Sequence, residues 1–581
     1  MRPSATRLGR ALPLLSLLLV ACAGEAPSPT ASVAAAPAPD DAAIFRAEQD
    51  YTDFVLATSP EQATMLGLHA RDGELDDRSL TAWNARLARE EAMLKELLTR
   101  FASPRASLAA RTDLTILEHT LAVDAYWQRA RRPLETQPDV YAGPLDAMFT
   151  MTARDYAPAA VRAHAVLARL AGIPAVVAAA KANLKNPPRV WTEVGMERAD
   201  GAKTFFADLR PQLVAALKDE PDGVARIDAA LAIGTAAYAD YRAFLERDVL
   251  PRSTGSFAAG PEAFAFLVHE NYFLAEEPKA LKALGERVFA ETTAQMTALA
   301  HEIDPSAKGW PEVTTRLKAK HPPAAELLRS YAHEVERARA FLVQRDVVAF
   351  PPGDVCQAID TPPFQRSTIS AAYDEAPAFD QDPHGFFFVT PVDPSTSPEA
   401  QEETLRENDY GDEVDTAVHE TYPGHHLQIS FARLYPSRIR KATAPDIFEE
   451  GWAFYAEELM SELGYYTKEE RMMQLEWTLV RAARVLIDVG LHTEGMTIDQ
   501  AVALLTDQVH LERSLAESEV KRYTLEPTQP LAYVVGREKI LELRRRYQER
   551  EGAKYTLKRF HAEILSHGAI APALLASEMF P

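Results

Sequence analysis

The chain has 581 residues, room for one large domain or two to four ordinary ones. Its 47% hydrophobic and 25% charged residues give the composition of a soluble globular protein with a sizeable core. A formal net charge of −22 opposes nucleic acid and anionic lipid headgroups as partners. Cys22 and Cys356 are the only cysteines, which excludes a disulfide framework and a thiolate zinc site.

In chain order, Arg2, Arg7 and Arg10 precede an apolar run from Leu12 to Val20. That layout is a secretory signal, too short to span a membrane, and residues 1–21 are read as one. Its end, Leu19-Val20-Ala21-Cys22, resembles a bacterial lipobox, in which the cysteine is lipidated and becomes the mature N-terminus. Ala23 after it implies, by the same resemblance, a protein held at the outer membrane, on its periplasmic side or at the surface. An ordinary signal peptide with Cys22 incidental is the alternative. Residues 22–42, mostly Ala, Pro, Ser and Asp, are expected to form a flexible tether, the lipid anchor being the only membrane contact.

Residues 43–346 are expected to form a helical N-terminal lobe. Trp83, Leu87, Leu94 and Leu98 make one helical stripe, interrupted by Glu91. Pro158 to Leu170 reads as a helix that Gly172 and Pro174 break before a second one, Pro174 to Leu184. Val224 to Phe244 is similar. Residues 347–581 are expected to form the catalytic lobe. It opens with Pro-, Asp- and aromatic-rich sequence holding short β-prone pieces such as Gly385 to Thr390, read as a small sheet or strand pair. Helical patterning returns near Glu403. Asp446 and Glu449, Thr467 and Glu470, and Thr497 and Gln500 have capping-box spacing, and Gly464 reads as a helix stop.

The chemistry concentrates at His419-Glu420-Thr421-Tyr422-Pro423-Gly424-His425-His426. A zinc hydrolase needs imidazole and carboxylate ligands, an open position for water, and a base beside it. The familiar HExxH spacing fails here, because Pro423 stands where the second histidine belongs. On a regular helix His425 would be rotated about 240° from His419, and His426 would stand about 10.5 Å further along the axis. Pro423 and Gly424 make a regular helix untenable, and a bulge absorbing two residues would return His425 to the ligand position. His425 is therefore the expected second ligand, with His426 as the alternative. Glu450 is the expected third, because capping-box spacing commits Glu449 to the helix end; Glu449 is its alternative. Glu420 is the expected general base. Candidate oxyanion donors are His492, Arg522, Tyr523 and Tyr533, whereas His510 reads as structural. His-Glu pairs also begin at His269, His301 and His333 without a further histidine in range, so the pair alone carries no information.

Glu449-Glu450-Gly451-Trp452-Ala453 resembles the Asn-Glu-Gly-Phe-Ala signature of the aminopeptidase N family, in which the glutamate binds zinc. Gly424-His425-His426-Leu427 resembles the Gly-His-Ala-Leu of thimet-type oligopeptidases. The two segments together resemble the bacterial domain-of-unknown-function family 885, over nearly all of the chain after the tether. These resemblances imply a gluzincin-type zinc metallopeptidase with one zinc per chain. The expected fold is mainly α with a small β element, in the two-lobed cleft plan of thimet-type and angiotensin-converting enzymes. Such a cleft admits short peptides. The pieces Ala371 to Phe379 and Phe386 to Val389 either offer a strand edge to a peptide or fill the core beneath the site. Alternative functions are hydrolysis of another amide or ester, and a non-catalytic envelope binding protein on the same fold. The presence of Glu420 favours chemistry.

Overall fold

The computed structural model describes residues 38–361, 366, 371–380, 382 and 384–581. The signal segment, Cys22 and the tether up to residue 37 lie outside the described residues. The first described helix, Asp41–Thr58, begins inside the stretch read as tether.

Helix boundaries follow local chemistry at most of the marked ends. Thr467 and Thr497 accept hydrogen bonds from the N–H groups of Glu470 and Gln500, whose side chains reach back, so both capping boxes form. They open the helices Lys468–Thr493 and Ile498–Leu504. The Trp83 stripe lies on the helix Leu80–Arg100, opened by Ser79, and the later alanine-rich pattern is the helix Gly223–Phe244. Gly464, with φ +76°, ends its helix as expected.

Two boundaries differ from expectation. One helix runs unbroken from Ala159 to Asn183, through Pro174. Leu170, Ile173 and Val177 are buried on either side of the proline, and that packing outweighs the lost backbone hydrogen bond. Asp446 does not cap. The helix Asp446–Glu462 starts at Asp446 itself, after Pro445, with no side-chain cap, so Glu449 has no capping role.

The protein is mainly α-helical with one small mixed sheet. Strands β1 (Cys356–Asp360), β2 (Ala371–Asp374) and β3 (Gly385–Val389) lie in the order β1-β3-β2. β1 runs parallel to β3 with Cys356 opposite Gly385, and β2 runs antiparallel with Tyr373 opposite Phe387. β2 is therefore an edge strand. Phe387 and Phe388 are buried, Phe387 against Tyr331 at 5.4 Å, so these aromatics fill the core beneath the site. One hydrophobic cluster joins Ile44 and Leu117 to Leu342, Phe387, Val418, Trp452 and Met579, so the core draws on chain from both sides of residue 347. A second, from Leu134 to Val249, belongs to the N-terminal helices alone.

The helix Asp446–Glu462 crosses the helix Ala532–Glu551 at two glycines. A Cβ on Gly536 would lie 2.1 Å from the Ile447 carbonyl oxygen, and one on Gly451 would lie 2.6 Å from Gly536 Cα. These obstacles are backbone and cannot rotate away. Gly536→Ala is therefore expected to destabilise the chain by about 1–3 kcal/mol or more, seen as earlier thermal unfolding. An unchanged transition would mean that the helices can part freely.

Candidate metal centre

The helix Tyr410–Glu420 carries the first candidates. Asp409 Oδ1 caps it, accepting from Gly411 N–H at 2.8 Å and Asp412 N–H at 3.2 Å. The helix stops at Glu420, and a second helix, His425–Ala432, starts after the Tyr422–Pro423 peptide. Across the junction Gly424 N–H donates to the Val418 carbonyl (3.1 Å) and Leu427 N–H to the Thr421 carbonyl (3.3 Å). Each bond spans six residues where an α-helix spans four. The two surplus residues are thus absorbed, by a break between two helices and not by a bulge in one. A Cβ on Gly424 would lie 1.8 Å from the His419 carbonyl oxygen, so only glycine fits. Trp452 Nε1–H donates to the Pro423 carbonyl at 2.8 Å and ties the junction to the Glu450 helix.

His419 and His425 meet there, their rings perpendicular with centroids 4.8 Å apart. Glu450 Oε2 lies 3.5 Å from His419 Nε2 and 3.3 Å from His425 Nε2. These spacings match the roughly 3.3 Å edge of a tetrahedron of zinc–ligand bonds about 2.0 Å long. Among the described residues, one ligand atom from each of these three forms the converging group, all within 4.8 Å of one another. Glu450 Oε2 is buried with no aligned hydrogen bond of its own. Burial raises the Glu450 carboxyl, but the two imidazoles outweigh it and hold its pKa well below the carboxylate range. For His419, burial and Arg481 press the pKa down, yet Glu450 and Glu457 lift it to about 9. Electrostatics that favour a proton between these groups favour a divalent cation in the same place. A two-imidazole, one-carboxylate donor set fits zinc.

Glu457, two turns after Glu450 on the same helix, completes the setting. Its Oε1 lies 2.7 Å from His419 Nδ1, and the residue is fully buried. Arg481 grips the carboxylate at 2.9 and 3.1 Å, and Gln474 Nε2 donates to it at 3.3 Å. Arg481 Nη2 also lies 3.1 Å from His419 Nδ1, but the shorter contact is to the carboxylate. Nδ1–H therefore donates to Glu457 and leaves the Nε2 lone pair for the centre. Glu457→Gln is expected to weaken metal binding by roughly 10- to 100-fold, measured by competition with a chelator. Unchanged affinity would remove Glu457 from the site.

Glu420 and His419 line one cavity of about 270 Å³. Glu420 Oε2 accepts from Tyr373 N–H of the edge strand β2 at 3.1 Å, which anchors the carboxylate from outside its own helix. Tyr533 lines the same cavity and stacks on His419 at 6.4 Å with a 17° interplanar angle. Burial, then the charge of Glu450, raise the pKa of its phenol, so it stays a donor at neutral pH.

The profile of the bacterial protein family of unknown function DUF885 matches residues 60–579. The chain belongs to this family. Among solved structures, it resembles a candidate lipoprotein of unknown function from Shewanella oneidensis, at 25% identity and a TM-score of 0.77. That match covers 93% of this chain and 100% of the other. A candidate lipoprotein from Colwellia psychrerythraea shares the fold, at 18% identity and a TM-score of 0.78, covering 93% and 98%. No curated protein matches the chain.

The remaining candidates in this DUF885 chain fall away from the centre. His426 is fully buried, with Nε2 2.9 Å from Asp354 Oδ1 and Nδ1 3.1 Å from the Tyr373 hydroxyl. Both ring nitrogens are occupied, so it is a structural tie and not the alternative ligand. Glu449 is outside the ligand group, its carboxyl pKa raised by burial and then by Glu375, Asp446 and Glu450. His492 donates from Nε2 to the Tyr523 carbonyl (2.9 Å) and accepts from Ala259 N–H (3.2 Å), pinning two segments together. Burial lowers its pKa to about 4 and keeps it neutral. Tyr523 and Arg522 do not line the cavity; both bond Glu519, with the Tyr523 hydroxyl also accepting from Arg484 Nε at 2.9 Å. Of the four proposed oxyanion donors, only Tyr533 reaches the cavity. His510 is exposed, in the left-handed position just after its helix, with its ring 5.2 Å from that of Trp310.

Proposed function

We propose that this protein is a gluzincin-type zinc peptidase that hydrolyses short peptides in the cell envelope. One observation carries the reading: the buried Glu450 oxygen lies between His419 Nε2 and His425 Nε2, with Glu420 in the same cavity as His419. When bound, zinc supplies a Lewis acid and brings the pKa of a coordinated water toward neutrality. Glu420, held by Tyr373 N–H, takes the proton of the attacking water and passes it to the leaving amine. The Tyr533 hydroxyl donates to the oxyanion that develops on the scissile carbonyl. Glu457 keeps His419 in the ligating tautomer.

The two-lobed cleft of thimet-type enzymes belongs to the same proposal and accounts for a preference for short peptides over folded proteins. Lipid anchoring through Cys22 has two supports: the Leu19-Val20-Ala21-Cys22 sequence and the description of both structural neighbours as candidate lipoproteins. Ala23 after the cysteine favours the outer membrane.

The test is the metal content of the purified chain together with its action on a mixed peptide library, read by mass spectrometry. Bound zinc and cleaved peptides are the expected result. Protein with His419 intact and no affinity for zinc would overturn the proposal. Zinc binding with intact peptides but cleavage of other amides or esters would keep the centre and change the substrate.

A further inference from the structure

The cavity at His419 continues away from the metal centre, between the helices Tyr410–Glu420 and Lys468–Thr493. One wall carries Asp412, Asp415, Thr416 and His419, a helical stripe that faces Trp477, Arg481 and Arg484 on the other. Along the helix axis, Asp415 lies about 6 Å and Asp412 about 10.5 Å back from His419.

The charges in this groove are not balanced. Its two guanidinium groups are taken by carboxylates that do not line it, Arg481 by Glu457 and Arg484 by Glu519 at 2.8 Å. Neither aspartate is in contact with a cation in an ion pair among the described residues, and burial, then Glu457, raise the Asp415 carboxyl well above the carboxylate range against the opposing charges of Arg481 and His419. Asp412 receives the indole N–H of Trp477, and Asp415 receives the Tyr466 hydroxyl at 2.9 Å. Lys318, the cation acting on Asp412, is itself bonded to Glu476 at 2.9 Å. Asp409, the charge acting most strongly on Asp412, is 2% exposed and keeps its Oδ2 buried without a hydrogen-bond partner. Burial, then Asp409, lift the Asp412 carboxyl to about 7. A buried carboxylate under this strain is stabilised by a cation.

A second metal ion is not the guest that fits, because among the described residues the converging ligand atoms are those of His419, His425 and Glu450. The guest must also reach the groove from the reacting centre. A basic side chain does both: a charged end on a long stem, which an indole wall accommodates as well as a carboxylate does.

We propose that this groove is the subsite for a lysine or arginine side chain of the substrate, its charge received by Asp412 and its stem laid along Trp477. The proposal rests on the peptidase reading for its reaction but not for its binding.

The test uses zinc-loaded full-length protein and matched peptides that carry Lys, Arg, Leu or Glu at each position in turn. In wild type, kcat/KM is expected to favour Lys or Arg over Leu at one position by roughly tenfold or more, with Glu poorest. Asp412→Asn is expected to lose that preference through KM rather than kcat, and Asp412→Glu to retain it. A parallel arm measures equilibrium binding of the same peptides to Glu420→Gln by calorimetry. Preferential binding of basic peptides without cleavage by wild type would uphold the subsite and overturn the peptidase reading. Cleavage with no basic preference, or a preference that survives Asp412→Asn, would overturn the subsite and leave the peptidase reading intact.

Discussion

Glu420→Gln is expected to lower peptide turnover by roughly 10²- to 10⁴-fold while zinc content stays as in wild type. The amide has the size of the carboxylate and keeps an oxygen to accept from Tyr373 N–H, so the local structure is preserved. It cannot take a proton from water, and that is the function assigned to it. Steady-state kinetics on a cleaved library peptide, with metal analysis of the same sample, checks both halves. Turnover untouched by the substitution would sink the mechanism and leave the metal site standing. Loss of metal together with turnover would place Glu420 among the ligands.

The second large effect concerns neighbours on one helix. Glu450→Ala is expected to reduce bound zinc from about one ion per chain to near zero, and activity with it. Of the three converging donors, the substitution removes the anionic one and leaves two imidazoles facing a buried gap. Glu449→Ala, one residue earlier, is expected to retain the metal, because Glu449 lies outside the converging ligand group. Dialysed samples of both, measured side by side by elemental analysis, separate the roles. Equal losses would mean that the helix as a whole, and not the Glu450 carboxylate, holds the site together.

Some of this was legible in the sequence because it is local. Capping boxes at Thr467 and Thr497 involve side chains three residues apart, and both form. The Pro423-Gly424 pair announced that a straight helix was impossible, and the count of surplus residues was right. Whether the chain would widen or break there was not readable. The choice depends on Trp452 reaching the Pro423 carbonyl from another helix. The same limit misplaced the Asp446 cap, since Asp446 faces the Tyr272 hydroxyl at 3.5 Å and the helix begins without it. Pro174 looked like a breaker because its own cost is local, whereas the packing that offsets it comes from the helices around it. Glu457 had a signal, two helical turns from Glu450, but nothing local separates it from any other glutamate on that face. Arg481, Arg484 and Trp477 share a stripe at spacings of four and three residues. Which side of that stripe meets the centre is decided only when the helices pack.

Gly451 and Gly536 leave two helices touching backbone to backbone, with Glu450 one residue and Tyr533 three residues from the contact. The crossing is a pivot, and the groups on either side of it are levers. A tilt of roughly 10° would swing a tyrosine hydroxyl on an arm of about 8 Å through about 1.4 Å, and a misplacement of that order can cost about 10²-fold in rate. Side chains at a crossing compress, rotate and let helices settle at slightly different angles; bare backbone does not. The aim of Tyr533 is therefore set less by what surrounds the ring than by two side chains that are missing a turn away.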